Sequence, residues 1–315
     1  MSPLMVTQAN VRSESHQGSV ITGRGAQMGT SSDAPARTLA ELLELHPLAD
    51  LAWRAASEAG RFLQTERPDD LSVESKSTPT DVVTSMDKAA EHLLFERLLG
   101  ERPGDGLMGE EGSDRASQTG IRWIVDPLDG TVNYLYRIPL WGVSVAAIDD
   151  DIGATVVGVI VTPETGEGFI GIRGRGAWRV VGDVGERLHV RACKSLGQTM
   201  VATGFCYEPD IRAEQGLLVQ RLISRVRDIR RTGCAVVDFT WLASGRTDAY
   251  YEAHLNEWDV AAGLLIACEA GAQVGVFGPH DDPGSFLVAV PGIAESFQGA
   301  LDACSAGLSI NSPGN

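Results

Sequence analysis

The sequence predicts an α/β (α+β) protein with an antiparallel sheet in its first half and alternating helices and strands in its second. Four β-branched runs lie close together between residues 141 and 181, and only short turn signals separate them. From residue 200 onwards, apolar runs of strand length alternate with segments of helical periodicity. With 315 residues, the chain can form two sub-domains of ordinary size.

The domain organisation follows from changes in composition along the chain. Residues 1–37 are rich in Ser, Gly, Gln and Thr, which predicts a disordered N-terminal tail. Residues 38–185 are predicted to form an N-terminal α+β sub-domain, and residues 186–315 a C-terminal α/β sub-domain. We place the boundary at residues 182–185, which have the composition of a linker.

Two helices are predicted before the first acidic motif. The first follows Pro47, which suits an opening helical turn. Its apolar face comprises Leu48, Leu51, Ala52, Ala55, Ala56 and Ala59. The second begins near Thr84, whose spacing from Asp87 is that of a capping pair, and it ends at Gly100. Its apolar residues are Val83, Met86, Ala90, Leu93, Leu94 and Leu98.

The remaining elements are predicted from apolar runs and the turn signals between them. Strands are expected at residues 141–148, 154–161, 168–172 and 177–181, where they would form the meander. Further strands are expected near residues 200–203, 248–251, 273–277 and 286–289. Helices are expected near residues 213–226, 236–243 and 259–270, and from residue 293 onwards.

Net charge and cysteine content restrict function and location. A formal net charge of -16 argues against general nucleic-acid binding, because that requires clustered Lys and Arg. No apolar run approaches the roughly 20 residues of a membrane span, and the N-terminus lacks the apolar core of a signal peptide. The five cysteines have no C-x-x-C spacing and are expected to be buried free thiols. We therefore expect a cytoplasmic protein without nucleic-acid or membrane partners.

The segment of residues 123–133 forms the centre of the predicted site. An apolar run leads into Asp126, and Pro127 is expected to end the strand there, because proline has no N–H to donate to a neighbouring strand. Thr131 is a good N-cap for a short helix. Asp126 and Asp129 would then meet where a cation site adjoins a helix N-terminus that can hold an anion. Cleavage of a phosphate ester requires this combination.

Four acids stand at the ends of predicted elements, beside small or turn-forming residues: Glu110, Asp126, Asp129 and Asp259. Taken alone, Asp259 could be a helix cap and Glu110 a solvated loop acid. Taken together, the four acids indicate a site for a cation that prefers oxygen ligands, such as Mg²⁺ or Mn²⁺. The absence of a His/Cys ligand cluster in the sequence argues against zinc.

Three motifs occur in an order that resembles the inositol monophosphatase family, over most of residues 40–305. They are Gly109-Glu110-Glu111, the segment from Asp126 to Asn133 and the segment from Trp258 to Gly263. Residues 81–84 and 245–252 match as well. The resemblance implies a layered α-β-α-β-α sandwich that is usually a homodimer, and a Mg²⁺-dependent, lithium-sensitive phosphatase.

By this resemblance, five residues would hold two or three metal ions, with Mn²⁺ able to replace Mg²⁺. One ion would be bound by Glu110, Asp126 and the carbonyl of Leu128, and a second by Asp126, Asp129 and Asp259. Electrostatics agree with this assignment. Two carboxylates about 4 Å apart repel by roughly 4 kcal/mol at an effective dielectric constant of 20, so acids that share a pocket need protons or cations.

The resemblance also suggests catalytic and substrate-binding residues. We hypothesise that a metal-activated water is the nucleophile, that Glu110 and Thr131 orient it, and that Asp81 accepts a hydrogen bond from Thr131. The phosphate would meet the N–H groups around Gly130 and Thr131, and Glu252 would contact an inositol hydroxyl. The expected substrate-binding residues are Asp129, Gly130, Thr131, Cys234, Ala235, Glu252 and Asp259.

The expected reaction is hydrolysis of myo-inositol monophosphate, a small phosphorylated polyol, to inositol and phosphate. The nearest alternative is the same chemistry on fructose-1,6-bisphosphate, histidinol phosphate or 3′-phosphoadenosine 5′-phosphate. An alternative of another class is a non-catalytic regulatory or binding protein on the same fold.

Two further features have ordinary interpretations that we favour over functional ones. The basic run from Arg221 to Arg231 is expected to be a solvated helix face rather than an anion or partner site. His254 is expected to be a loop residue rather than a general acid.

Overall fold

The computed structural model describes residues 36–71, 73–75, 82–277 and 285–309. Residues 1–35, which hold nearly all of the predicted tail, lie outside these ranges, and so does Asp81. The helices are α1 (Leu39–Leu43), α2 (Ala49–Thr65), α3 (Ser85–Glu101), α4 (Thr131–Leu135), α5 (Pro209–Leu222), α6 (Ala235–Ala243), α7 (Glu257–Glu269) and α8 (Ala294–Ser305).

The strands are β1 (Arg37–Thr38), β2 (Val73–Ser75), β3 (Val82–Thr84), β4 (Gly106–Gly109), β5 (Asp114–Arg115), β6 (Ile121–Asp129), β7 (Gly142–Asp149), β8 (Ala154–Thr162), β9 (Glu167–Ile172), β10 (Gly176–Val181), β11 (Val184–Arg187), β12 (Met200–Thr203), β13 (Asp228–Arg230), β14 (Ala249–Glu252), β15 (Gln273–Val276) and β16 (Phe286–Ala289). Every strand and helix predicted after residue 140 is present, although several bounds are shifted, and β11 and β13 were not predicted.

The elements stack as alternating helix and sheet layers, which confirms the α-β-α-β-α sandwich. α2 and α3 cover one face of a nine-stranded sheet with the order β1-β11-β10-β9-β8-β7-β6-β4-β5. α6 and α7 fill the space between this sheet and a five-stranded sheet with the order β13-β12-β14-β16-β15. α5 and α8 cover the outer face of the smaller sheet.

Strand direction in the large sheet brings two acidic motifs together. The strands from β6 to β11 are antiparallel neighbours, which confirms the predicted meander. β4 instead runs parallel to β6, with Gly109 opposite Val125. Because the two parallel strands end at the same edge of the sheet, Glu110 and Asp126 emerge side by side.

The small residues of the Trp258–Gly263 motif allow α7 to lie close to the large sheet. A side chain at Gly158 in β8 would come within 2.9 Å of the Cα of Ala262. A side chain at Gly171 in β9 would likewise come within 3.0 Å of the Cα of Ile266. Glycines on the sheet therefore allow the backbone of α7 to lie close to β8 and β9.

The prediction that Pro127 ends its strand was wrong. β6 continues to Asp129, and its register with β7 shifts between Asp126 and Asp129. Pro127 thus lies in a bulge, where the strand needs no N–H donor. The bulge gives Asp126 and Asp129 different environments although they belong to one strand.

The linker expected at residues 182–185 is absent from the described structure. These residues form a hairpin turn and the start of β11, in which Val184 pairs with both Val181 and Thr38. The turn-forming composition was recognised correctly, but a hairpin and a linker share that composition. The division into sub-domains at residues 38–185 and 186–315 stays a prediction.

Two smaller expectations also need correction. The basic run from Arg221 to Arg231 is not one helix face, because α5 ends at Leu222 and Arg230 ends β13. The five cysteines are free, as expected, but Cys268 is exposed and Cys206 is only partly buried.

Candidate active site

The predicted site residues line one cavity of about 280 Å³. It lies where the edge of the large sheet meets the N-terminal ends of α6 and α7. Every predicted site residue that the structure describes contributes to its lining: Glu110, Asp126, Leu128, Asp129, Gly130, Thr131, Cys234, Ala235, Glu252 and Asp259. Residues separated by almost 150 positions in the chain are therefore brought to one place.

The bulge of β6 orients the oxygens of Asp126 and Leu128. Asp126 is 1% exposed, and its Oδ1 accepts the N–H of Leu128 at 3.0 Å. The carbonyl of Leu128 lies 3.1 Å from the hydroxyl of Thr131, on the side of the cavity. This turn therefore directs carboxylate and carbonyl oxygens towards the same space.

The N-terminal turns of two helices hold the other two aspartates. Asp129 accepts the N–H of Val236, in the first turn of α6, at 2.6 Å. Asp259 lies in the first turn of α7 and accepts the N–H of Asn256 at 2.6 Å. Asp259 is therefore not the N-cap itself: Asn256 holds that position, and Asp259 completes a capping box from the third residue of α7. The same residue also lines the cavity. A carboxylate at a helix N-terminus is stabilised by the free N–H groups there.

Burial and mutual repulsion make the charged forms of these acids costly. Burial raises the pKa of Asp126 well above its usual range, and the carboxylates of Glu110, Asp129 and Asp259 raise it further. The pKa of Asp259 is raised by burial and then by Asp129 and Glu110. Burial also raises the pKa of Asp129, although its hydrogen bond with Val236 opposes the shift. Protons or cations must offset this concentration of negative charge.

Comparison with known proteins identifies the kind of site. The model of the inositol monophosphatase family matches residues 44–308. The chain belongs to the inositol monophosphatase family. It is 40% identical over 270 residues to an inositol-1-monophosphatase of Mycobacterium leprae, covering 80% of this chain and 92% of that protein. It is 35% identical over 242 residues to the Nus factor SuhB of Escherichia coli K12, covering 75% of this chain and 88% of that protein.

Solved structures of the inositol monophosphatase family have the same fold. SuhB from Bartonella henselae superposes with a TM-score of 0.74 at 33% identity, covering 81% of this chain and 98% of that one. SuhB from Mycobacterium tuberculosis superposes with a TM-score of 0.70 at 35% identity, covering 82% and 96%. Membership places the chain in a superfamily of metal-dependent phosphatases. None of the helices in the described ranges is long and apolar enough to cross a membrane.

In this member of the inositol monophosphatase family, the hydroxyl of Thr131 is bound by Asp87. It donates to Oδ1 of Asp87 at 2.9 Å, while Oδ2 of Asp87 accepts the N–H of Thr84 at 2.9 Å. The sequence had marked Asp87 only as a capping residue, and that prediction is confirmed. Asp81, the acceptor predicted for Thr131, lies outside the described residues. Thr131 was also expected to be the N-cap of α4, but Gly130, with a φ of +89°, occupies that position.

The sequence alone did not reveal Arg231, a cation that lines the cavity. Its guanidinium packs against Gly233, where a Cβ atom would come within 2.5 Å of Nη1. Burial raises the pKa of Glu252 and of Asp238, and the charge of Arg231 opposes part of this shift. Asp238 also lines the cavity, and its Oδ1 has no hydrogen-bond partner among the described residues. Arg231 and Asp238 have no local sequence signal. Arg231 follows the end of β13 and Asp238 lies in the first turn of α6, and only the packing of these elements brings both residues to the cavity.

Glu252 is half-buried and lines the same cavity. The hydroxyl of Tyr250 donates to its Oε2 at 2.6 Å. Its carboxylate packs against Gly204, because a Cβ atom there would come within 2.0 Å of Oε1. Burial raises the pKa of Glu252 to about 7, although Tyr250 and Arg231 oppose this shift. Glu252 therefore changes charge near neutral pH.

The donor set fits a cation that prefers oxygen ligands. It consists of four carboxylates and the carbonyl of Leu128, and the raised pKa values of the aspartates reflect a need for positive charge. Within the described ranges, no three His, Cys, Asp or Glu side chains already stand as a preformed metal cage. The acids would therefore draw closer together around an ion, and its remaining coordination positions would go to water or phosphate.

Proposed function

We propose that this protein is a Mg²⁺-dependent phosphomonoesterase that hydrolyses myo-inositol monophosphate. The observation that carries this proposal is the convergence of four buried or half-buried acids, from three separate motifs, in a cavity that Glu252 also lines. The acids would hold metal and phosphate, while Glu252 would accept hydrogen bonds from hydroxyl groups of a polyol. Mn²⁺ would also support activity, because its preference for oxygen ligands is similar.

The proposed metal ligands divide into two overlapping sets. Glu110, Asp126 and the carbonyl of Leu128 would hold one ion, and Asp126, Asp129 and Asp259 would hold another. When bound, such ions supply Lewis-acid activation of water and of the phosphoryl group, and they offset charge on the leaving oxygen. Asp126 belongs to both sets, so its loss should be the most damaging.

Thr131 and Glu110 are positioned to orient the attacking water. Thr131 would donate its one hydroxyl proton to Asp87, at 2.9 Å, rather than to the carbonyl of Leu128, at 3.1 Å, and its oxygen would then accept a hydrogen bond from the water. The carboxylate of Glu110 can accept the second proton of that water and carry it away as the new bond forms. The ester oxygen leaves as an alcohol once it has gained a proton from solvent.

Replacing Thr131 with Ala should lower kcat by about 10- to 100-fold, a milder effect than loss of a metal ligand. The variant removes the oxygen that accepts from water and the hydroxyl that donates to Oδ1 of Asp87. Thr131→Ser is the matched control, since it keeps the hydroxyl and should retain most activity. Steady-state phosphate release measures both variants. Equal activity of Thr131→Ala and the parent protein would remove Thr131 from the mechanism.

Replacing Glu252 with Gln should change the pH dependence of KM. The pKa of Glu252 is about 7, so its carboxylate becomes charged between pH 6 and 8 and then accepts hydrogen bonds more strongly. The KM of the parent protein for inositol 1-phosphate should fall as pH rises through this range. The variant does not titrate, and its KM at pH 8 should be about tenfold higher, as for loss of one hydrogen bond to a charged group.

The ratio of the two KM values is the informative quantity, because titration of the substrate phosphate affects both proteins equally. A ratio that stays constant from pH 6 to 8 would show that Glu252 does not bind substrate as a carboxylate.

Phosphate release from a panel of esters tests the proposed function directly. The panel comprises inositol 1-phosphate, fructose-1,6-bisphosphate, histidinol phosphate and 3′-phosphoadenosine 5′-phosphate, each with Mg²⁺. Inositol 1-phosphate should have the highest kcat/KM. A preference of more than tenfold for another ester would overturn the substrate but keep the chemistry. Li⁺ should inhibit phosphate release in the same assay. In a separate measurement, light scattering should give the mass of a homodimer.

Relatives named Nus factor SuhB favour a second candidate, a regulatory protein on the same fold. Such a protein would act through a partner surface rather than through the cavity, so it would not need the metal. Absence of turnover for every ester, together with no Mg²⁺ or Mn²⁺ binding in calorimetry, would favour this candidate.

A further inference from the structure

Helix α3 presents two buried acids, Asp87 and Glu91, on the same face and one turn apart. Asp87 is fully buried, and Glu91 is 4% exposed. Their i,i+4 spacing directs both carboxylates to the same side of the helix. Asp87 binds Thr131, which follows the bulge of β6. The proposed mechanism uses Asp87 in this way but gives no role to Glu91.

Glu91 binds the loop that carries Glu110. Its Oε2 accepts the N–H of Glu111 at 2.7 Å, and its Oε1 accepts the N–H of Ser113 at 3.1 Å. The loop is closed by a further hydrogen bond from the N–H of Gly109 to the carbonyl of Ser113, at 2.7 Å. Both oxygens of one carboxylate are thus used to hold a short, tightly turned segment.

Gly109 makes the close approach of Glu91 possible. A Cβ atom at residue 109 would come within 2.3 Å of Oε2 of Glu91, which is too close for any side chain. Glu110 therefore lies between Gly109, against which the carboxylate packs, and Glu111, whose N–H binds it. The backbone on both sides of Glu110 is positioned by the same buried side chain.

We propose that Glu91 is a positioning residue that places Glu110 relative to Asp126 for metal binding. α3 thereby acts as a rigid spacer: Asp87 holds the loop after β6, and Glu91 holds the loop after β4. The distance between the two loops is set by one helical turn rather than by the loops themselves. This inference rests on the proposed function, because Glu110 and Asp126 are the proposed ligands of the first ion.

The test compares Glu91→Gln with the parent protein. Gln keeps the size of the side chain and one oxygen acceptor, but its NH₂ group faces an N–H and cannot accept from it. Glu96→Gln is the matched control, because Glu96 is an acid of the same helix whose side chain is 68% exposed. Glu91→Ala, a more disruptive change, serves only as a second variant, and circular dichroism checks that each protein is folded.

Two measurements separate positioning from simple structural support. Hydrogen exchange of the metal-free protein should become at least about tenfold faster at the amides of Glu111 and Ser113, while the Thr131 segment stays protected. Calorimetry should show Mg²⁺ affinity reduced by about 10- to 100-fold, as is usual when the partner of a metal ligand is lost. High Mg²⁺ should restore most of kcat, and Glu96→Gln should resemble the parent in every measurement.

Two results would overturn the proposal. Unchanged exchange at Glu111 and Ser113 would show that Glu91 does not hold the loop. Faster exchange with unchanged Mg²⁺ affinity would show that it holds the loop without positioning a ligand. Failure of the proposed function is recognised separately, because the parent protein itself would then bind no Mg²⁺ and turn over no ester.

Discussion

Asp126→Asn is expected to lower kcat by about 1,000-fold while making the metal-free protein more stable. Asp126 is the only residue in both proposed ligand sets. Its loss should therefore remove several kcal/mol of transition-state stabilisation. Each 1.36 kcal/mol lost lowers the rate tenfold. Asn has nearly the same shape, and its oxygen can still accept the N–H of Leu128. The fold should therefore be preserved.

The gain in stability has an electrostatic cause. Burial and three neighbouring carboxylates raise the pKa of Asp126, so a neutral amide removes a charge that the folded protein accommodates poorly. We expect a free energy of unfolding higher by about 1–3 kcal/mol at pH 8 without metal, or roughly 2–6 °C in Tm.

Phosphate release with Mg²⁺ and thermal melts in chelator measure these two effects of Asp126→Asn. Asp114→Asn is the control, because Asp114 is an exposed acid in β5 of the same sheet. Turnover close to that of the parent protein would exclude Asp126 as a metal ligand. A lower Tm without metal would contradict the electrostatic explanation.

The second large effect is a pH dependence of stability that Mg²⁺ should reduce. The pKa values of Asp126 and Asp259 are raised in the folded protein, and that of Glu252 rises from 4.5 to about 7. Between the unfolded and folded pKa values, the folded protein binds protons that the unfolded chain has released. The contribution of Glu252 to the free energy of unfolding therefore falls as pH rises from about 4.5 to 7, and Asp126 and Asp259 change it in the same direction above their unfolded pKa values.

Mg²⁺ should remove the part of this loss that comes from Asp126 and Asp259, because it offsets the charges that protons neutralise at lower pH. At 100 times its dissociation constant, Mg²⁺ should add about 2.7 kcal/mol to the free energy of unfolding at pH 8. Chemical denaturation at pH 5.5, 7 and 8, with chelator or with Mg²⁺, measures the effect. Asp126→Asn should have a shallower pH dependence. Equal pH dependence of the parent protein with and without Mg²⁺ would show that the ion does not replace the protons.

Several parts of the fold could be predicted because they depend on short stretches of sequence. Periodicity predicted α2 and α7, and the close succession of β-branched runs and turns predicted the meander. Pro127 was misjudged because a proline usually ends a strand. A bulge removes the need for its N–H, and only the pairing of β6 with β7 shows that a bulge is present. The turn at residues 182–185 was misjudged for a similar reason, since only pairing with β10 distinguishes a hairpin from a linker.

The candidate site shows the same division between local and long-range information. The motifs around Glu110, Asp126 and Asp259 identified the acids, because small and turn-forming residues beside an acid are visible in the chain. The sequence identified Asp87 as a capping residue but did not predict its contact with Thr131. One carboxylate oxygen of Asp87 accepts the N–H of Thr84 at the helix start, and the other accepts the hydroxyl of Thr131.

By itself, the sequence determined the family, the acids of the site and most of the elements that carry them. The tertiary structure decided which groups surround those acids: Asp87 accepts from Thr131, Glu91 accepts from the backbone of Glu111 and Ser113, and the charge of Arg231 acts on Glu252. The physical reason is that a buried carboxylate binds whichever N–H or hydroxyl group the packing of other elements brings to it. Glu91 and its partner Glu111 are 20 residues apart in the chain, and Asp87 and its partner Thr131 are 44 residues apart. No local sequence pattern encodes contacts at these separations.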